Sequence, residues 1–145
     1  HINANKNILD LGSGGGFPGI LLSITNPSNN ISLLESNNKK CYFLRKISHE
    51  LNLKNTTVIN KTIYENNQLG SFDIIVSRAF ATIEKTINLT KTNTHKSTKY
   101  LLLKGKESVI KKELKDIDKN KFRYEIIKQE AGLKERNIVL LKNNE

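Results

Sequence analysis

The sequence predicts an α/β fold, a mostly parallel, doubly wound sheet with a C-terminal antiparallel hairpin. Three observations predict it. Short apolar runs of the kind found in strands covered on both faces alternate with stretches of helical periodicity. The first run ends in a glycine cluster that opens directly into a second apolar segment, NILDLGSGGGFPG at residues 7–19. The last two runs are joined by a polar connection too short for a helical crossover, so they pair as a hairpin.

Taken in order, residues 8–11 are the first strand, and the glycines at 12, 14, 15 and 16 form a tight turn that needs positive φ or close approach by a ligand. A helix opens at Phe17-Pro18-Gly19, where Pro18 suits a first turn in which a missing N–H costs nothing. After a turn at 26–30, the second strand (31–36) ends on a carboxylate, Glu35. Ser36-Asn37-Asn38 can cap a helix running to about residue 53. Cys41, Phe43, Leu44, Ile47 and Leu51 recur on one of its faces, with Lys39, Lys40, Arg45 and Lys46 opposite. On that apolar face Cys41 reads as core rather than nucleophile. A β-branched strand (56–60) leads through Ile63, Tyr64 and Glu65 into a polar loop ending at Gly70. The continuous apolar run at 72–77 is the fourth strand, 81 to about 91 a helix, 92–98 a solvated loop and 100–105 the fifth strand. Residues 107–117 form a Lys-rich amphipathic helix with Val109, Ile110, Leu114 and Ile117 inward. Strands at 123–129 and 137–142, joined through 130–135, close the sheet.

At 145 residues the chain reads as one domain, 1–145. Lys and Arg number 24 against 14 Asp and Glu, a net charge of +10 that favours a polyanionic partner. The competing reading is a compositional bias toward Lys, Asn and Ile, with the lysines at 104–121 no more than a solvated helix face. No run of 18 apolar residues and no signal-peptide pattern occurs, so the expectation is a soluble protein that is not exported and has no membrane partner. A single cysteine excludes an internal disulfide and a Cys-based zinc site, and His1, His49 and His95 share no ligand spacing, so no metal is expected.

The glycines fit both D-x-G-x-G-x-G, from Asp10 through Gly12, Gly14 and Gly16, and the dinucleotide pattern G-x-G-x-x-G at Gly14, Gly16 and Gly19. Asp10 discriminates between them. A carboxylate beside the turn suits a cationic group and repels a pyrophosphate, which points to S-adenosylmethionine, a ligand with an ammonium, a sulfonium and no phosphate. Glu35, 23 residues after Gly12, is placed to accept the ribose hydroxyls of an adenosine. Ile63 and Tyr64 either flank an adenine ring or pack the loop. After the fourth strand, Arg78 could anchor phosphate and Phe80 could stack on a base, or Phe80 could be the first core residue of the next helix. The D/N-P-P-Y/F signature of amine methylation is absent there, and no Ser/His/Asp or Cys/His set accompanies the turn. Methyl transfer to a lone pair needs alignment more than proton removal.

On these residues the chain resembles the 16S rRNA guanine-N7 methyltransferase family, methyltransferase G, also called glucose-inhibited division protein B. The likeness rests on DLGSGGGFPGI at 10–20, LLESNNKKCYFLRKI at 33–47, FDIIVSRAFATI at 72–83 and LLLKGK at 101–106. It implies a Rossmann-like class I methyltransferase fold, S-adenosylmethionine as methyl donor, a guanine of 16S rRNA or the small ribosomal subunit as acceptor, and a cytoplasmic location. Carried over by position, the cofactor contacts fall on Gly12, Phe17, the backbone at Ile63-Tyr64, and Arg78, with Glu35 as the ribose ligand. Many relatives have an acidic residue where Tyr64 stands, and here Glu65 follows it. The family's helices ahead of the first strand are expected to be missing from this chain. Lys39, Lys40, Arg45, Lys104, Lys106 and Arg136 are the candidates for RNA phosphate contact, no residue is assigned a catalytic role beyond positioning by Arg78 and Phe80, and a monomer is expected. The rival functions are a class I methyltransferase acting on a small molecule or protein, a non-catalytic RNA-binding module retaining the fold and, more distantly, an NAD-dependent oxidoreductase.

Overall fold

The computed structural model describes residues 2–129 and 132–144. His1 and, from the expected polar connection, Glu130 and Ala131 lie outside the described residues. The elements are β1 (Asn7–Leu11), α1 (Gly19–Thr25), β2 (Asn30–Glu35), α2 (Asn38–Glu50), β3 (Thr56–Asn60), β4 (Ile74–Arg78), α3 (Ile83–Thr90), β5 (Lys99–Lys104), α4 (Glu107–Glu113), β6 (Phe122–Gln129) and β7 (Arg136–Asn143). They form a seven-stranded sheet in the order β3-β2-β1-β4-β5-β7-β6. The first five strands are parallel, and β7 runs antiparallel between β5 and β6. The expected hairpin is therefore present, with its second strand inserted beside β5. The strand order reverses between β1 and β4, and the glycine turn leaves the sheet at that point.

Side-chain alternation along β1 divides the core in two. Leu9 and Leu11 pack with Ile75, Leu102, Leu141, Ile83 and Ile110 on the α3/α4 side. Ile8 packs with Ile31, Leu33, Leu44, Ile74 and Val76 on the α1/α2 side. Asp10 shares its parity with Ile8, so it points beneath α1 rather than out of the sheet edge.

Several expected boundaries shift for local reasons. Helix α3 starts at Ile83 because the Thr82 side chain accepts the Lys85 N–H at 3.2 Å, fixing the cap there. Phe72 precedes β4 rather than opening it, its N–H bonded to the Asn93 carbonyl. Helix α4 ends at Glu113 and tightens into a 3-10 turn over Leu114–Asp116. Its inward set is Ile110, Leu114 and Ile117, whereas Val109 is half-exposed, a correction to the expected stripe. On α2, Cys41 and Leu44 are buried, but Phe43 and Leu51 stand exposed, so the apolar face is narrower than expected.

Gly19 is where α1 meets the sheet. A Cβ there would run into Leu33 Cδ2 and Asp10 Oδ2, both in the packed layer beneath the helix, while a Cβ on Gly15 would meet nothing within 4 Å. Gly19→Ala should cost about 2 kcal/mol of stability through overpacking, and Gly15→Ala should stay within about 0.5 kcal/mol of wild type. Urea unfolding of both variants checks this, and equal midpoints would refute the close packing of α1.

Candidate functional site

The turn after β1 is tied to its neighbours by backbone and carboxylate bonds. The N–H groups of Gly12 and Ser13 both donate to the Leu34 carbonyl, at 2.9 and 3.0 Å, holding the turn against the end of β2. Gly12 is required twice over. Its φ of 67° is left-handed, and a Cβ would lie 2.8 Å from Phe80 Cδ2. Gly14 and Gly16 also have left-handed backbone. Phe80, whose role the sequence leaves open, packs under this turn and against the core. It is partly buried and supports the turn from below.

Two carboxylates flank the turn. Glu35, at the end of β2 and nearly buried, accepts the Gly14 N–H on Oε2 at 3.1 Å and the Asn37 N–H on Oε1 at 3.3 Å, so one side chain joins the turn to the start of α2. Asp10 is fully buried. Its Oδ2 accepts the Gly19 N–H at 3.0 Å, and Oδ1 has no partner among the described residues. Burial pushes its carboxyl from the ordinary 3.8 up to about 6, against the pull of the nearby Ser13 hydroxyl, which itself donates to the Asp10 backbone carbonyl at 3.2 Å, of the Gly19 N–H and of the Arg78 guanidinium, with Glu35 adding to the rise. Asp10 thus acts from behind the turn instead of lining it, because strand parity turns it under α1. A buried carboxylate lacking a cation fits a positively charged ligand group held just beyond the turn and does not fit a pyrophosphate.

The far side of the site is built by β4, β5 and β7. Arg78 is exposed at the end of β4, its Cζ 5.2 Å from the centroid of the exposed Phe17 ring, a cation–π pair. Ala79, which carried no signal in the sequence, has φ 49° and turns the chain away from the strand; a left-handed non-glycine residue is a strained conformation of the sort that gathers at functional sites. Phe17, Arg78 and Ala79 open onto a cleft of about 750 Å³ whose opposite wall includes Arg136 and Asn137. Of the two residues expected beside an adenine, Ile63 is buried in the core and Tyr64 is exposed. Cys41 is buried with its Sγ bonded to the Glu35 carbonyl at 3.1 Å, and burial pushes the thiol up, as a core cysteine requires. Among the described residues no three His, Cys, Asp or Glu side chains are grouped to hold a metal, and no helix is long and apolar enough to cross a membrane.

The expected phosphate-binding cations separate into two kinds. Lys39, Lys40, Arg45, Lys106 and Arg136 are exposed. The first turn of α2, the start of α4 and the start of β7 all lie at the sheet edge that carries the carboxyl ends of β2 and β5. Lys104 is a correction. Its Nζ is 2.9 Å from Glu113 Oε2 and 2.5 Å from the Ala81 carbonyl, with only 10% of the side chain exposed. Glu113 Oε2 also accepts the Ile83 N–H at 3.0 Å. Lys104 therefore fastens the Arg78–Ala81 segment to β5 and α4, and its charge is spent inside the protein.

Comparison with known proteins follows the same outline. The family described as GidB, rRNA small subunit methyltransferase G, matches residues 1–139. Ribosomal RNA small subunit methyltransferase G of Brachyspira hyodysenteriae is 41% identical over 137 residues, covering 93% of this chain and 66% of that protein. The protein of the same name from Pseudomonas paraeruginosa is 41% identical over 105 residues, covering 72% of this chain and 49% of its own. The chain thus spans between about half and two thirds of the length of these relatives. Among solved structures, precorrin-6y C5,15-methyltransferase from Geobacter metallireducens superposes with a TM-score of 0.78 at 16% identity, over 99% of this chain and 82% of that one. An rRNA methylase from Streptococcus thermophilus gives 0.73 at 10% identity, over 99% and 90%. At such identities the likeness establishes the fold, that of class I methyltransferases.

Two outcomes are expected from these contacts. Because folded Asp10 holds its proton to about pH 6 and the unfolded chain releases it near 3.8, its contribution is greatest below pH 4 and falls by about 3 kcal/mol as pH rises through 6. Asp10→Asn keeps an acceptor for Gly19 without the charge. Urea unfolding near pH 4 and near pH 7.5 should show the wild type losing more stability across that interval than the variant; parallel losses would remove the buried charge from the account. Lys104→Ala leaves Glu113 uncompensated and should cost about 3 kcal/mol, whereas Lys106→Ala should change stability by less than about 0.5 kcal/mol, both read from thermal or urea unfolding.

Proposed function

This chain belongs to the rRNA small subunit methyltransferase G family, and from that premise we propose that it transfers a methyl group from S-adenosylmethionine to N7 of a guanine in 16S rRNA. The observation that carries the reading is the glycine turn held between two carboxylates, Glu35 beside it and Asp10, with one oxygen unpartnered, behind it, the turn leading directly into Phe17 at the wall of the cleft. Bound S-adenosylmethionine supplies an electrophilic methyl group on a positively charged sulfur.

Everything else falls to the chain's own residues. Gly12, Gly14 and Gly16 leave the backbone open to close approach, and Asp10 biases the turn toward a cation through the negative charge beneath it. Glu35 already accepts two backbone N–H groups, and each carboxylate oxygen retains a lone pair for a ribose hydroxyl. Phe17, the backbone at Ile63-Tyr64, and Arg78 complete the cofactor side. N7 of guanine carries a lone pair in the ring plane and no proton, so the protein need only hold it in line with the methyl group. Lys39, Lys40, Lys106 and Arg136 supply phosphate contacts along the same sheet edge, and Arg45 supplies one about two turns further along α2. The partner is the RNA of the small ribosomal subunit, met by a monomer in the cytoplasm.

Mass-spectrometric mapping of 7-methylguanosine in small-subunit rRNA from cells with and without the gene tests the reading. One modified position should disappear with the gene and return when it is restored. Arg78→Ala should restore it about a hundredfold less efficiently while unfolding like wild type. An unchanged modification pattern would overturn the function, and full restoration by the variant would overturn the role of Arg78.

A further inference from the structure

Residues 61–73, between β3 and β4, form no helix or strand, and a loop of that length in a compact sheet needs anchoring. The anchor is a pair of amides. Asn93, fully buried in the 3-10 turn Lys91–Asn93 that follows α3, donates from its side-chain nitrogen to Asn67 Oδ1 at 2.7 Å. Asn67, half-buried in the loop, returns a bond to Asn93 Oδ1 at 2.9 Å. The rest of each amide is spent on backbone. Asn93 Nδ2 also reaches the Gly70 carbonyl at 2.7 Å, Asn67 Nδ2 reaches the carbonyls of Tyr64 at 3.0 Å and Leu89 at 3.1 Å, and Asn67 Oδ1 takes the Leu69 N–H at 3.1 Å. Those carbonyls settle which end of each amide is nitrogen. With the Phe72 N–H bonded to the Asn93 carbonyl at 2.9 Å, the loop is tied at Tyr64, Gly70 and Phe72 to the end of α3.

Each bond of such a pair adds only about 1 kcal/mol to stability, but the pair is directional. Asn67 draws the Tyr64 carbonyl toward α3. In a trans peptide the N–H of the next residue points the opposite way, so the Glu65 N–H is aimed away from that helix. The Glu65 carboxylate is turned back, its Oε2 3.6 Å from Lys91 Nζ. Backbone N–H groups seldom go without an acceptor, yet those of Ile63, Tyr64 and Glu65 meet none among the described residues. This is the stretch that the cofactor reading places beside adenine, whose ring nitrogens are acceptors. In hypoxanthine a carbonyl replaces the 6-amino group and N1 becomes a donor, which such N–H groups reject.

Resting on the methyltransferase reading above, we propose that Asn67 and Asn93 are positioning residues for the adenine of S-adenosylmethionine, their amide pair holding the Ile63–Glu65 backbone so that its N–H groups face the base. Asn93, 0% exposed, acts wholly through the loop.

Calorimetry with S-adenosylhomocysteine and with S-inosylhomocysteine, in which hypoxanthine replaces adenine, tests this on the full chain. Wild type should bind the adenosine compound tighter by on the order of tenfold or more. Asn67→Ala and Asn93→Ala should each lose most of that preference through weaker binding of the adenosine compound alone, since a loosened loop reads neither base. Because the two amides act as one, the double variant should lose no more than either single variant, and losses that add would overturn the pairing. A role confined to stability lowers the unfolding midpoint but leaves the ratio of the two affinities at its wild-type value, and that result overturns the proposal. Asn67 is the less buried of the two, so Asn67→Ala reports the ratio even where Asn93→Ala impairs folding. Wild type that binds both compounds equally also overturns the proposal, with no variant needed. Wild type that binds neither overturns the cofactor reading, and this inference with it.

Discussion

A carboxylate with nowhere to go but under a helix is the constraint on which the site depends. Asp10 is the fourth residue of β1, and alternation along that strand sends it to the α1 face, into a layer of Ile, Leu and Val side chains. There Oδ2 takes the Gly19 N–H and Oδ1 takes nothing. The bond draws the start of α1 down onto the sheet, which leaves no room for a Cβ on Gly19 and obliges the chain between Leu11 and Gly19 to fold back as a turn of left-handed glycines. That turn is in turn pinned outward by Leu34 and Glu35. A charge placed this way weakens the fold at neutral pH and creates a field that favours a cation beside the turn.

The same logic of side chains acting through neighbours runs along the opposite wall. Lys104 and Glu113 hold the carbonyl of Ala81 and the N–H of Ile83, and between that anchorage and β4 the chain passes through the left-handed Ala79, which swings Arg78 beside Phe17. Asn137 is set by Gly105 and Glu135, one strand further on. Lys104 and Asn137 both line the cleft, and both are held there by bonds within the protein that fix the position of its wall.

Much of the fold is legible from local pattern. Helical and strand periods, the Asn37 cap and the glycine run are properties of short stretches, and the elements they imply are those observed, with ends displaced by a few residues where a cap such as Thr82 or a 3-10 turn intervenes. The glycine turn, Glu35 and Arg78 stand out in the sequence as candidate site residues because each combines a chemical type with a strand end. Ala79 and Asn137, which line the cleft, do not stand out, since alanine carries no functional group and an asparagine within a strand is unremarkable until its neighbours are known. Phe80 illustrates the limit from the other direction, as its sequence context fits a stacking face and a core residue equally.

Lys104 and Lys106 stand two residues apart, and no pattern in the chain separates them, yet one is locked to Glu113 and Ala81 and the other is exposed. Element order, the backbone demands of residues 12–19 and family membership follow from the order of residues alone, because each depends on contacts or conformations spanning a few positions. The insertion of β7 beside β5, the turning of Asp10 beneath α1, the sorting of the lysines and the orientation of the Asn137 amide depend on groups brought together from distant parts of the chain. Strand parity and sheet register fix those meetings, and they exist only once the sheet is assembled.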